Sequence, residues 1–326
     1  MLAWRFQDGR IERAQIAPPT PGPGQALLRP MLAGVCNTDV ELLSGYYAFA
    51  GVAGHEFVAV VERAPDAPQW EGKRVVAEIN IGCGGCANCL AGDARHCPTR
   101  RAIGIKGWDG AFAERLLAPI ANLHRVPDKL PDRQAVFAEP LAAALEPSQQ
   151  LHLKARHRLC VLGDGKLGLL SALALRQWCP GLLLIGRHAA NLAKAAAQGV
   201  AVELTPAEAS WPELAAKLGA FDVVVEATGR PEGINAALEL VRPEGVVVAK
   251  TTSRLPSTIN LARVVVDEIQ IIGSRCGDMA LALAHLAAGR LAVEPLIERV
   301  MAFDELPLAI EAARRGGAGK VLIDYS

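Results

Sequence analysis

The sequence predicts an α/β protein in which a doubly wound parallel sheet is joined to a second, mostly β unit. Three observations predict it. The chain has 326 residues, and at roughly 100–200 residues per domain that favours two domains. The first 145 residues are broken by proline and glycine into short β-prone runs. From about residue 150 onward, apolar strands alternate with amphipathic helices, the pattern of a parallel sheet covered on both faces.

Taken in order, APPTPGPGQALLRP (17–30) holds five prolines and two glycines. It is too broken for a helix and is expected as an extended edge. GHEFVAVVER (54–63), KRVVAEI (73–79) and AFAERLLAP (111–119) read as strands of an irregular, mostly antiparallel barrel. RLCVLGDGKLG (158–168) is an apolar strand entering a glycine turn, continued by a helix over 169–178. LLLIGR (182–187) is a second strand, 191–198 a second helix and FDVVVEATG (221–229) a third strand; the alternation runs to about Ser274. A helix over 279–289 and a β-like KVLIDY (320–325) follow.

Composition narrows the function. Apolar residues make up 51% and charged residues 21%, which excludes a disordered scaffold. Thirty-four basic against thirty-four acidic residues leave no net charge to steer the chain to nucleic acid or an anionic membrane. The one basic cluster, Arg95 to Lys106, reads as a solvated loop. No apolar run approaches the ~18 residues of a membrane span, and MLAWRFQDGR lacks the apolar core of a secretory signal. The expectation is a cytoplasmic protein that binds neither nucleic acid nor membrane.

Gly163-Asp164-Gly165-Lys166-Leu167-Gly168 matches G-x-G-x-x-G. The first glycine makes the turn, the second admits a pyrophosphate to the backbone, and the third lets the helix pack on its strand. The helix N-terminus then offers free N–H groups to phosphate. A chance glycine loop is the bland alternative. The strand before, the helix after and a second strand about twenty residues on are the context a dinucleotide site requires.

Four of the eight cysteines, Cys83, Cys86, Cys89 and Cys97, read C-x2-C-x2-C-x7-C. Four thiolates on one loop can surround a tetrahedral zinc with no open position, which makes the site structural. An iron–sulfur cluster is the rival, since Pro98 follows Cys97, but the seven-residue gap and the lack of a second cluster motif oppose it. A second set is dispersed. Cys36, His55 and Glu56 are suitable ligands for a catalytic zinc with an open position. Taken singly, Cys36 is more often a buried small hydrophobe and His55 a satisfied core histidine.

GVCNTD, then GHE, then the four-cysteine lobe, then VLGDGKLG, in that order, resemble the zinc-dependent medium-chain dehydrogenase/reductase family. VVEATG, DEIQIIGSR and GKVLIDY extend the similarity over nearly the whole chain. The resemblance implies a GroES-like catalytic domain, 1–145 with 275–326, carrying a structural zinc lobe at 82–98. A Rossmann dinucleotide-binding domain, 146–274, is inserted between, with the active-site cleft at their junction. It implies two zinc ions per chain, one of them on Cys36 and His55. Glu139, in FAEPLAAALEP, sits where the polyol branch has a glutamate near the metal, and is the expected third ligand, with Glu56 the other possibility. A helix N-terminal charge is the bland reading of Glu139. Thr38 stands where the family carries the substrate proton outward, and Glu41 where some relatives have a relay histidine. Asp39 is read as a support of the zinc loop. Tyr46, Tyr47 and Phe49 could line a substrate pocket or simply pack.

The implied reaction is NAD(P)-linked interconversion of a small alcohol, secondary or polyol-like, and its carbonyl by hydride transfer, in a homodimer or homotetramer. A zinc-free quinone or enoyl reductase, or a non-catalytic redox sensor, are the alternatives; Cys36 and His55 oppose both. In an NAD-preferring Rossmann unit a carboxylate at the end of the second strand binds the adenosine ribose. Here that end is Gly186-Arg187-His188, with no carboxylate from Leu182 to Asn191. A guanidinium there can grip a 2′-phosphate, so NADP(H) is expected over NAD(H). Ala227 and Thr228, at the end of the third strand, complete the expected cofactor contacts.

Overall fold

The computed structural model describes residues 1–45, 48–206, 210–253, 255–315 and 319–326. β1 (Leu2–Gln7) and β2 (Arg10–Gln15) form a hairpin. β3 (Gln25–Val35) leads into helix α1 (Asn37–Leu43). β4 (Gly51–Val52), β5 (Glu56–Arg63), β6 (Arg74–Ala77) and β7 (Asn80–Ile81) follow. Beyond α2 (Ala87–Leu90) come β8 (Arg101–Ala102), β9 (Leu116–Pro119), β10 (Leu123–Arg125) and the short α3 (Asp132–Ala135). Helix α4 (Ala138–Gln150) then carries the chain onward.

The alternation expected after residue 150 is present as β11 (Leu159–Leu162), α5 (Lys166–Leu175), β12 (Leu183–Gly186), α6 (Ala189–Ala196) and β13 (Ala201–Leu204). It continues through α7 (Trp211–Leu218), β14 (Phe221–Glu226), α8 (Gly233–Leu240), β15 (Val241–Ala249), α9 (Leu261–Val266) and β16 (Gln270–Gly273). The chain ends with α10 (Met279–Ala287), β17 (Ile297–Ala302), α11 (Leu306–Arg314) and β18 (Lys320–Asp324). Two units result: Met1–Glu139 with Met279–Ser326, and Pro140–Asp278.

In the second unit all six strands pair in parallel, in the order β13-β12-β11-β14-β15-β16. That is the 3-2-1-4-5-6 order of a doubly wound Rossmann sheet. Its central strands β11 and β14 are buried on both faces, which is why β11 reads LCVL without alternation. The turn after β11 needs its glycines. Gly163 has φ +114°, and a Cβ on Gly168 would overlap the Gly163 carbonyl.

The first unit is built on a seven-stranded sheet running β10-β6-β5-β3-β18-β17, with β9 also paired to β3. The proline-rich stretch 17–30 is expected at an edge, and this expectation is corrected: residues 25–30 begin β3, which lies between β5 and both β9 and β18. Pro30 is tolerated because the register with β5 shifts between Pro30 and Leu32, and because on the other side it falls between the β9 and β18 pairings. A proline needs such a break, since it has no N–H to donate. β17 and α11 are further elements that the sequence did not suggest. No helix among the described residues is long and apolar enough to cross a membrane.

Candidate active site

Three adjacent strands of the first unit bring its polar site together. Cys36 follows β3 directly and caps α1. The Cys36 N–H donates to Asp39 Oδ2 at 2.8 Å, so the helix start and the cysteine are fixed by the same carboxylate. Asp39 is fully buried, and its Oδ1 stands 3.3 Å from Nδ1 of His55, the residue before β5. With Nδ1 facing Asp39, Nε2 is the ring nitrogen left for a metal. Burial works against a charged imidazole here, yet the Asp39 and Cys36 charges outweigh it and push the His55 pKa well up.

The ligand atoms of Cys36, His55 and Glu56 lie within 4.8 Å of one another, which suits a single ion. Glu56 is engaged from the other side. Lys320, the first residue of β18, places its Nζ 2.5 Å from Glu56 Oε2, and both side chains are buried. Gly34 makes this pairing possible. It sits opposite Glu56 in β5 and Leu322 in β18, and a Cβ there would run into Glu56 Oε2. Burial disfavours the Lys320 charge, but Glu56 and Cys36 more than compensate and hold its pKa up.

Glu139, near the start of α4, is not one of the three clustered residues. Burial pushes its carboxyl up to about 7, against the pull of His55 and with the help of Glu56 and Glu78. It therefore shares one electrostatic environment with the cluster. The Cys36 thiol donates to the Thr38 hydroxyl at 3.7 Å. Thr38 and Glu41 are both half-buried. Phe49 is half-buried with its ring beside Gly51; Tyr46 and Tyr47 lie outside the described residues.

The four-cysteine loop forms a separate cluster. The sulfurs of Cys83, Cys86, Cys89 and Cys97 lie within 4.8 Å of one another, close to the spacing that tetrahedral zinc with bonds of about 2.3 Å demands. The Thr99 hydroxyl and the Cys83 N–H hold the Cys97 thiol down at about 6, so a thiolate is available at neutral pH.

In the second unit the glycine turn ends in the half-buried Lys166 and Leu167 at the start of α5. Gly186 closes β12, followed by a half-buried Arg187 and an exposed His188. Ala227 and Thr228 follow β14, where the buried Glu226 accepts from Thr228 N–H (2.8 Å), Thr228 Oγ1 (2.6 Å) and Thr251 Oγ1 (2.8 Å). The sequence reading passed over this carboxylate, and it passed over Asp164, which the glycine turn carries towards β12.

Residues 22–128 match the family model for the alcohol dehydrogenase GroES-like domain, and residues 182–288 that for zinc-binding dehydrogenase. Over 94% of both chains, this protein is 30% identical to an L-threonine 3-dehydrogenase of Streptomyces avermitilis. The chain belongs to the zinc-type medium-chain dehydrogenase/reductase family. A putative zinc-binding dehydrogenase of Sinorhizobium meliloti, solved bound to NADP, is 29% identical and superposes with a TM-score of 0.90 over 99% of both chains. RspB of Escherichia coli, solved with NADH, shares the fold at a TM-score of 0.93 and 24% identity, over 100% of this chain and 99% of its own. As a medium-chain dehydrogenase/reductase of the zinc type, the protein is an NAD(P)-linked alcohol oxidoreductase.

The buried pair gives a direct test. Lys320→Met takes the cation from a buried carboxylate and is expected to destabilise the protein by about 3–5 kcal/mol in urea melts. Replacing both partners, Lys320→Met with Glu56→Leu, is expected to recover most of that loss. A single variant that melts with the wild type would show that the pair does not brace the site.

Proposed function

We propose that this protein oxidises a small secondary or polyol-like alcohol, or reduces the matching carbonyl, at a zinc site built by Cys36, His55 and Glu139. The observation that carries the reading is the cluster of half-buried Cys36 and buried His55 beside Asp39, in a chain that also holds the glycine turn. Glu56 is already paired with Lys320, which supports Glu139 as the third ligand. Zinc, when bound, supplies a Lewis acid that eases loss of the substrate hydroxyl proton. Thr38 accepts that proton on its hydroxyl and passes it outward, a role for a group that donates and accepts at once. Asp39 holds the His55 ring in one orientation and tautomer. A nicotinamide held by the second unit would supply the hydride acceptor, so that the alcohol would be oxidised as NAD(P)+ is reduced.

A second zinc, on Cys83, Cys86, Cys89 and Cys97, is structural, giving two per chain. The first unit is the catalytic domain and the second the dinucleotide-binding domain. The described structure has eight free cysteines, which supports residence in the reducing cytoplasm. Homodimers or tetramers form through the parallel sheet's edge strand β16. Ile271 on that strand, with Leu261, Val265 and Val266 on α9, is exposed, and an uncovered apolar edge invites a second copy. Val266→Asp is expected to convert the oligomer to monomer in sedimentation velocity; an unchanged sedimentation coefficient would place the interface elsewhere.

Arg187 and His188, at the end of a strand that itself bears no carboxylate, support NADP(H) over NAD(H). A charge-assisted bond to the 2′-phosphate corresponds to roughly a ten- to hundredfold preference. The test is a panel of alcohols and carbonyls, L-threonine among them, assayed with both cofactors on zinc-loaded enzyme. Turnover with at least one pair and a higher kcat/KM with NADP(H), largely erased by Arg187→Ala, is expected. Failure on every pair would overturn the reaction, and a preference for NAD(H) would overturn the cofactor reading alone.

A further inference from the structure

The end of β12 has no carboxylate of its own, yet one is present there. β11 and β12 are adjacent parallel strands with Leu162 opposite Ile185. Two residues beyond each strand partner, Asp164 of the glycine turn therefore stands beside Arg187. Asp164 Oδ2 accepts from the Arg187 N–H at 3.1 Å and the His188 N–H at 2.7 Å. The His188 ring nitrogen Nδ1 lies 3.1 Å from both oxygens. Gly186 is the residue that admits this side chain, because a Cβ there would come within 2.5 Å of Asp164 Cβ. The carboxylate is only 8% exposed, whereas the His188 ring is 68% exposed.

Two consequences follow. A neutral hydroxyl or amide could cap the two backbone N–H groups equally well, so the carboxylate adds a negative charge beyond what the turn requires. The imidazole that could meet a phosphate is already turned towards that charge, which leaves Arg187 as the cation of the turn. Resting on the reading of this turn as the adenosine-ribose site, we propose that Asp164 sets the balance between NAD(H) and NADP(H). It supplies from the glycine turn the negative charge that β12 lacks. It opposes a 2′-phosphate that Arg187 attracts, so the cofactor choice is the difference between two opposed charges rather than the effect of Arg187 alone.

The experiment is direct binding to the apoenzyme, followed by the fluorescence of NADH and of NADPH, for the wild type, Asp164→Asn and Asp164→Ser. Either substitution keeps an acceptor for the turn and removes the charge. The ratio of the NADH Kd to the NADPH Kd is expected to rise by about tenfold in both variants, the scale of one charged contact. A merely structural role would weaken both cofactors by the same factor. A ratio within twofold of wild type in two folded variants would overturn the proposal. If the wild type itself favours NADH but the ratio still rises on substitution, the Arg187 reading fails and this one stands.

Discussion

Glu56 and Lys320 are 264 positions apart in the chain and make a buried ion pair across β3. Much of the first unit is arranged around that contact. It requires β18, from the C-terminal segment, to lie beside β3, and it requires Gly34 between the partners, where any side chain would part them. Two charges taken out of water are tolerated only if they stay together, so the pair holds the last strand in register with GHE. The β3–β5 register, with Gly34 opposite Glu56, sets His55 near Cys36 and Asp39. The candidate metal ligands thus stand beside a contact that is not itself chemical.

Three carboxylates close to this site have three separate tasks, set by their surroundings. Asp39 is fully buried and faces the Cys36 N–H and His55, so it orients. Glu56 faces Lys320, so it braces the sheet. Glu139 stands on a different element with its carboxyl pushed up to about 7 by burial, and under the proposed function it is the one assigned to the metal.

What the sequence disclosed and what it hid divide by distance along the chain. The glycine turn and the four-cysteine loop are local, so spacing alone shows them, and the strand-helix alternation makes the parallel sheet plain. Cys36 and His55 were readable as candidate metal ligands mainly through the order of several motifs. Lys320 was read as the first residue of a terminal strand, because nothing local connects it to Glu56. Asp164 occupies an unspecified position of G-x-G-x-x-G, and its partners beyond β12 become neighbours only once the two strands are laid side by side. The prolines of 17–30 misled towards an edge, since a break in register that accommodates Pro30 leaves no mark in composition.

The central claim is that Cys36 and His55 build an open metal site at which the alcohol is handled, distinct from the closed four-thiolate lobe. Cobalt(II) exchanged for the removable metal reports this most directly, through its thiolate charge-transfer band and the visible bands of a four-coordinate site. In the wild type an added alcohol or carbonyl is predicted to shift the visible bands, and Cys36→Ser is predicted to lose one metal per chain together with that response. Full cobalt content and an unchanged alcohol response in Cys36→Ser would contradict the account.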